Sequence, residues 1–398
     1  MTMATSDSIS EVTTPSAAPG NGLLVLLAAM TAEQLESVLV SLTASFPAES
    51  LVIASPDPFP EDFDPSVRIV AAPPASPSWT RTAADFVSAS QLAEKNQARA
   101  ILMLGAESGS LAPSSIRTLA DAVLTTPTDL AVPCYQLPPH AGLVNSAILY
   151  PLTRALFASR ARFPLAVDLG LSLRMAQRLA GAAHRFTAAN QGEAPLWPVN
   201  EATVAGFSID QFDVGPRAQP QPGGPDLNSI LPLVTGSLFA DIDAKAAFWQ
   251  RYRELPPPSD PVPLAPSTDA PADIAPMLHA FRLAYSNLQE VWSLVLPPNS
   301  LLGLKRLSTT DGDLFRMPES LWARIVFDFL LAYRLRTINR GHLLGALIPL
   351  YLAWVASHIN ITASGADPEA HIEAVAAAFD ADKTYLVSRW RWPDRFNP

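Results

Sequence analysis

Leu23 to Ala29 is an unbroken apolar run of strand length, and beyond Thr31, a candidate N-cap, the pattern turns helical over Glu33 to Phe46, with Leu35, Val38, Leu39 and Leu42 on one face. Leu51 to Ala54 and Val67 to Ala71 read as two further short buried strands. Thr82 to Lys95 reads as a helix, Ala100 to Leu104 as a strand, and Asp129 to Cys134 as the next strand. Strands alternating with helices in this way predict a parallel, doubly wound sheet covered on both faces. Further on, Arg174 to Ala183 continues a helix, Ala194 to Ile209 reads as strand-like, and Asp226 to Tyr252 as one helix.

From Met277 the periodicity is helical throughout, over Met277 to Leu294, Glu319 to Arg336, His342 to Ile359 and Pro368 to Trp390. Trp292, Trp322, Phe327, Phe329, Tyr333, Tyr351 and Trp354 recur there at helical spacing, which reads as core. Pro256 to Pro276 is proline-rich and aperiodic, a linker by pattern. The expected organisation is a tail over residues 1–22, a sheet domain over 23–255, a linker over 256–276 and a helical region over 277–398. The fold class is α/β, parallel-dominated, followed by an all-helical C-terminal region.

Composition narrows the partners. A formal net charge of −10 without a dense basic block argues against nucleic acid, and 48% hydrophobic residues in 398 fill a sizeable core. Cys134 is the single cysteine, so neither an intrachain disulfide nor a thiolate cluster forms, in keeping with a reducing, cytoplasmic setting. The Ser/Thr/Ala/Pro-rich start and the short run Leu23 to Met30 do not read as a signal peptide. Leu343 to Ala356, the longest apolar run, contains Pro349 and reads as a buried helix, so no transmembrane segment is expected. A homo-oligomer stays open.

Candidate chemistry gathers in Leu149 to Ser172, LYPLTRALFASRARFPLAVDLGLS. Tyr150, Leu152, Ala155 and Leu156 fall at helical spacing among Arg154, Arg160 and Arg162. Asp168-Leu169-Gly170 then stands where a helix would start, with free N–H groups beside the Asp168 carboxylate. Tyr150, Arg154, Arg162, Asp168 and Ser172 are therefore expected around one acceptor pocket, the plainer alternative being that Asp168 caps a helix. The loop after Leu104, Gly105-Ala106-Glu107-Ser108, occupies the ligand-binding edge of such a sheet, and His140 lies in the loop Tyr135 to Asn145. Plain readings for these two are a loop acid and an exposed histidine.

YPLTRAL followed by R-x-P-x-x-x-D-x-G-x-S resembles bacterial family-2-like glycosyltransferases related to glucosylglycerate and mannosylglycerate synthases, of the sheet-based GT-A type. The likeness extends over roughly Ala100 to Trp392. It implies retaining transfer of a hexose from a nucleotide sugar to a small, glycerate-like hydroxyl acceptor, with Asp168 catalytic, Tyr150, Arg154, Arg162, Ser172 and His140 binding substrate, and a divalent metal, Mg²⁺ or Mn²⁺, against the donor diphosphate. The sequence departs from that family at the metal. Gly105 replaces one carboxylate of the Asp-x-Asp motif, Glu107 remains, and Phe212 in Gln211-Phe212-Asp213 stands where the family has histidine. Weak metal binding is expected, with Gly105→Asp expected to raise metal-dependent nucleotide-sugar binding if the pocket is otherwise intact. Two functions remain: a transferase of low activity, or a catalytically degenerate relative acting as a binding or scaffold protein. Phosphate-loop, Rossmann, zinc-protease and serine-hydrolase motifs are absent from the sequence.

Overall fold

The computed structural model describes residues 22–59, 66–73, 80–189, 191–218, 226–257, 264–265 and 273–392. The tail over residues 1–21 and most of the proline-rich stretch 256–276 lie outside them. The order is β1 (Leu23–Leu27), α1 (Ala32–Ser45), β2 (Leu51–Ser55), β3 (Arg68–Ala71), α2 (Ala83–Lys95), β4 (Ala100–Leu104), α3 (Pro113–Thr125), β5 (Leu130–Gln136), α4 (Tyr150–Phe157), β6 (Leu169–Ser172), α5 (Leu173–Thr187), α6 (Pro198–Ala205) and β7 (Ile209–Pro216). Helices follow: α7 (Leu227–Ala244), α8 (Ala246–Trp249), α9 (Ala275–Asn287), α10 (Gln289–Ser293), α11 (Pro298–Ser308), α12 (Glu319–Leu335), α13 (Arg340–Ala363) and α14 (Pro368–Arg391).

The strands form one seven-stranded sheet ordered β3-β2-β1-β4-β6-β5-β7. Every neighbouring pair is parallel except those of β6, which runs antiparallel to both β4 and β5. Strands β1, β2 and β4 are buried along their whole length, as continuous apolar runs covered on both faces require. Thr31 starts α1 through a capping box with Gln34, the sequence signal having marked the boundary by chemistry.

Several elements differ from the pattern reading. Ala194 to Ile209 is not strand-like: Pro198, at the first turn, opens helix α6, and the strand begins at Ile209. Asp226 to Tyr252 is broken at Lys245 into α7 and α8, and Met277 to Leu294 at Leu288 into α9 and α10. Helix α11, short and only partly buried, has no counterpart among the helices the periodicity predicts. Asp168 does not start a helix. It precedes strand β6, and Ser172 is the N-cap of α5, accepting the Met175 N–H at 3.2 Å.

Beside a small cluster of Tyr150, Ile372 and Ala376, two large apolar cores form among the described residues. One fills the sheet and its covering helices, where α1 packs on α3 and α2 on α5. The other is built from α9 to α14 and also takes in α4 and α7, so it draws on both sides of the proline-rich stretch. Trp322 Nε1 of α12 donates to the Ala147 carbonyl at 2.8 Å, tying the wide helical turn Asn145–Leu149 to the C-terminal helices. Helix α13 is long and apolar enough to cross a membrane by length and composition, and 67% of its most apolar stretch is buried inside the molecule. The aromatic residues Trp292, Trp322, Phe327, Phe329, Tyr333, Tyr351 and Trp354 are all buried.

Candidate functional site

Because β6 runs against its neighbours, its first residues lie at the edge where β4, β5 and β7 end. Leu169 pairs with Met103, which brings Asp168 beside Gly105. That carboxyl edge is where an open α/β sheet binds ligands. Asp168 is fully buried, and both of its oxygens accept hydrogen bonds. Oδ1 accepts the Gly105 N–H at 2.7 Å, and Oδ2 accepts both the Tyr135 hydroxyl and Arg217 Nε, each at 2.7 Å.

Arg217 follows β7 directly. Its guanidinium reaches Asp168 on one side and Glu107 Oε2, at 3.7 Å, on the other, and lies 5.3 Å from the Tyr135 ring centre. Arg81, also buried, donates from Nε to the Val167 carbonyl at 2.9 Å just behind. Burial alone would raise the Asp168 carboxyl, but the charge and hydrogen bond of Arg217, with Gly105 N–H and the Tyr135 hydroxyl, outweigh it and hold the group below the usual carboxylate range. Burial and the neighbouring Asp168 charge push the Tyr135 phenol well up. Arg217 is held firmly cationic, since Asp168 overrides the burial that would lower it.

The carboxyl is thus held down by an ion pair and not by the free N–H groups of a helix start. Fully buried, with three of its four lone-pair directions taken and its charge paired to Arg217, the carboxylate is poorly placed to accept a substrate proton or attack a sugar.

The other predicted residues do not converge on Asp168. The Tyr150 hydroxyl donates to Glu373 at 2.6 Å. Arg154 pairs with Glu373 and, at 3.0 Å, with Asp380. Arg162 makes a fork to Glu369 at 3.0 and 3.2 Å and donates to Ser146 at 2.9 Å, its guanidinium 5.2 and 5.1 Å from the Tyr150 and Phe163 ring centres. These three side chains therefore fasten α14 to the α4 region. Ser172 lies at the opposite edge of the sheet, paired with Ala100, and donates to Asp129, which Arg174 and Ser208 also hold and which falls to about 2 despite its burial. His140 is exposed and reaches Thr362 at 3.1 Å.

Glu107 alone of the predicted set joins Asp168. Tyr135 and Arg217 complete the cluster, and neither is among the residues the sequence motifs single out. A charged residue directly after a strand at the carboxyl edge was the signal for Arg217.

The residues do not fit a divalent metal. Among the described residues no group of three His, Cys, Asp or Glu side chains is placed to hold one, and the two carboxylates present converge on a guanidinium. A Cβ at Gly105 would come within 2.7 Å of both Arg217 Nη2 and Val167 Cγ2, so Gly105→Asp would have to move both side chains before it could add a metal ligand. Phe212 packs against the sheet core in β7, paired with Pro133.

In front of the cluster lies a cavity of about 370 Å³, walled by Glu107, Tyr135, Val167 and Arg217 on the sheet side and by Leu143, Ile230 and Tyr351 across it. Arg154 instead lines a separate cavity with Asp380 and Lys383.

The sequence matches no described protein family, and no curated protein matches it. Solved structures with similarity include glucosyl-3-phosphoglycerate synthase from Mycobacterium tuberculosis in complex with Mn²⁺, uridine-diphosphate-glucose and phosphoglyceric acid. It is 15% identical with a TM-score of 0.37, over 56% of this chain and 79% of that one. The same enzyme with Mn²⁺, uridine-diphosphate and glucosyl-3-phosphoglycerate gives 15% and 0.37 over 56% and 80%. A structure described as a mycobacterial protein gives 14% and 0.36 over 56% and 75%.

Proposed function

We propose that this chain has a GT-A-like, glycosyltransferase-type fold whose cleft binds a small molecule without a divalent metal, and that metal-dependent transfer of a hexose from a nucleotide sugar is weak or absent. The carrying observation is the Arg217 guanidinium between Asp168 and Glu107, against Gly105. Descent from sugar transfer is supported by the resemblance around YPLTRAL and by the position of the cleft at the carboxyl edge of the sheet. Loss of the metal reaction is supported by the chemistry of the donor set. A hard cation gains affinity from converging free carboxylates, and here both already converge on a cation, Asp168 Oδ2 accepting Arg217 Nε–H and Glu107 Oε2 lying 3.7 Å from the same guanidinium.

A second reading, transfer without metal, is favoured by one observation: Arg217 Nη2 is buried without a hydrogen-bond partner. A donor oxygen reaching it would complete its bonding, and the guanidinium would then offset charge on a departing diphosphate.

The test measures nucleotide-diphosphate release by the full chain from UDP-glucose with 3-phosphoglycerate, in Mn²⁺, Mg²⁺ or EDTA. No metal-dependent release is expected. A loss of about 4 kcal/mol of charge stabilisation already lowers turnover roughly a thousandfold. EDTA-insensitive release abolished by Arg217→Lys would establish the second reading, because lysine lacks the fork that meets two oxygens at once. Robust Mn²⁺-stimulated transfer would overturn both.

A further inference from the structure

The wall of the 370 Å³ cavity is apolar over most of its area. Leu137, Leu143, Val144, Phe163, Leu165 and Val234 contribute, joined by Leu149, Val167 and Ile230. The charges at its sheet end cancel: Arg81 and Arg217 face Asp168 and Glu107, and Arg217 is already paired. A phosphate or carboxylate entering here would lose its hydration and meet two carboxylates together with a guanidinium they already neutralise, so the one unpaired N–H of Arg217 would repay little of that loss. On the opposite wall Tyr351 of α13 is 5% exposed, and its hydroxyl has no hydrogen-bond partner among the described residues. Burial alone raises its phenol, with no partner opposing the shift.

We infer that the cavity takes a neutral molecule with an apolar body and a single hydroxyl or carbonyl group that bonds the Tyr351 hydroxyl. The volume lies at the low end of the range for small-molecule pockets, roughly 300–1,000 Å³. An apolar body fills the wall, and one polar group bonds the Tyr351 hydroxyl, which no side chain among the described residues reaches, at the end of the cavity away from the ion pairs. This class differs from the glycerate-like acceptor that the sequence resemblance implies. The inference rests on the reading above only in taking the same cleft as the ligand site.

The experiment titrates the full chain with geraniol, a neutral ten-carbon alcohol, and in parallel with geranyl monophosphate and 3-phosphoglycerate, by calorimetry. Geraniol is expected to bind at least tenfold more tightly than its phosphate ester, with no binding of 3-phosphoglycerate. Ile230→Trp, at a half-buried position of α7 that lines the cavity, fills it and is expected to weaken geraniol at least tenfold. Tyr351→Phe is expected to weaken geraniol roughly two- to tenfold while leaving the thermal midpoint of the free protein unchanged or raised, because the hydroxyl it removes has no partner. A structural role for that hydroxyl would instead lower the midpoint.

Tighter binding of the phosphate ester, displacement of geraniol by 3-phosphoglycerate, or no geraniol binding up to its solubility limit would overturn the inference. Mn²⁺-stimulated transfer with geraniol still bound would remove the preceding reading and leave this one. No metal response and no alcohol binding would do the reverse.

Discussion

At the scale of single residues, the cleft is governed by one buried ion pair. Arg217 is the partner that keeps Asp168 ionised in a place without water, so removing it leaves a buried carboxylate unpaired. Arg217→Gln is expected to destabilise the protein by about 3–5 kcal/mol in urea unfolding at pH 7. Asp168→Asn, which keeps the shape, is expected to cost less. The pH dependence has a definite sign. The folded carboxyl lies below its unfolded value of about 3.9, so the contribution is complete above that pH and is lost as pH falls through the folded value. Asp168→Asn should remove that part of the acid sensitivity. Nothing local in the sequence pointed to this pair, because Asp168 and Arg217 are 49 positions apart and meet only through the pairing of β6 and β7 with β5.

At the scale of elements, apolar runs and helical periodicity carried most of the fold, since both follow from burial on one or two faces. They could not give strand direction. Asp168-Leu169-Gly170 looks like a helix start, yet the glycine answers to a different demand: a Cβ at Gly170 would meet the Leu119 carbonyl of α3 at 2.5 Å and the Ala131 Cβ at 3.1 Å. Glycine inside a strand marks such a close approach of backbones. Gly170→Ala is expected to cost about 1–3 kcal/mol or more, read as a lowered urea midpoint at unchanged slope.

Helices α13 and α14 meet at His358 and His371, whose Nδ1 atoms lie 2.7 Å apart. Trp354 is stacked on both rings, and His358 Nε2 faces the Pro139 carbonyl at 3.4 Å. Burial, then His371, lowers His358 to about 4, so it stays neutral in the fold while the unfolded chain takes up a proton. Stability is complete above about pH 6.5 and falls as pH drops toward 4, by roughly 3 kcal/mol. Unfolding free energies at pH 7.5 and 5 test this. His358→Gln should flatten the difference, and a pH-independent wild type would contradict it.

At the scale of the whole molecule, the cleft lies where the two cores meet. One wall is the carboxyl edge of the sheet, and the other comes from α7 and α13, elements before and after the proline-rich stretch. The part of the candidate site legible in the sequence was its place, the loop after β4 with Glu107. What filled that place was not legible, because charge compensation there joins residues from four separate chain segments. The fastening of α14 by Tyr150, Arg154 and Arg162 likewise gives a structural use to side chains whose pattern had pointed to an acceptor. The account turns on the guanidinium lying between Asp168 and Glu107, at the loop to which the sequence resemblance assigns a metal. Mn²⁺ binding to the full chain in the presence of UDP-glucose, followed by the loss of the free-ion electron paramagnetic resonance signal, tests it most directly. The account predicts that the signal of free Mn²⁺ in the sample with protein and nucleotide sugar equals that with nucleotide sugar alone. Uptake of one Mn²⁺ per chain, dependent on Glu107, would contradict it.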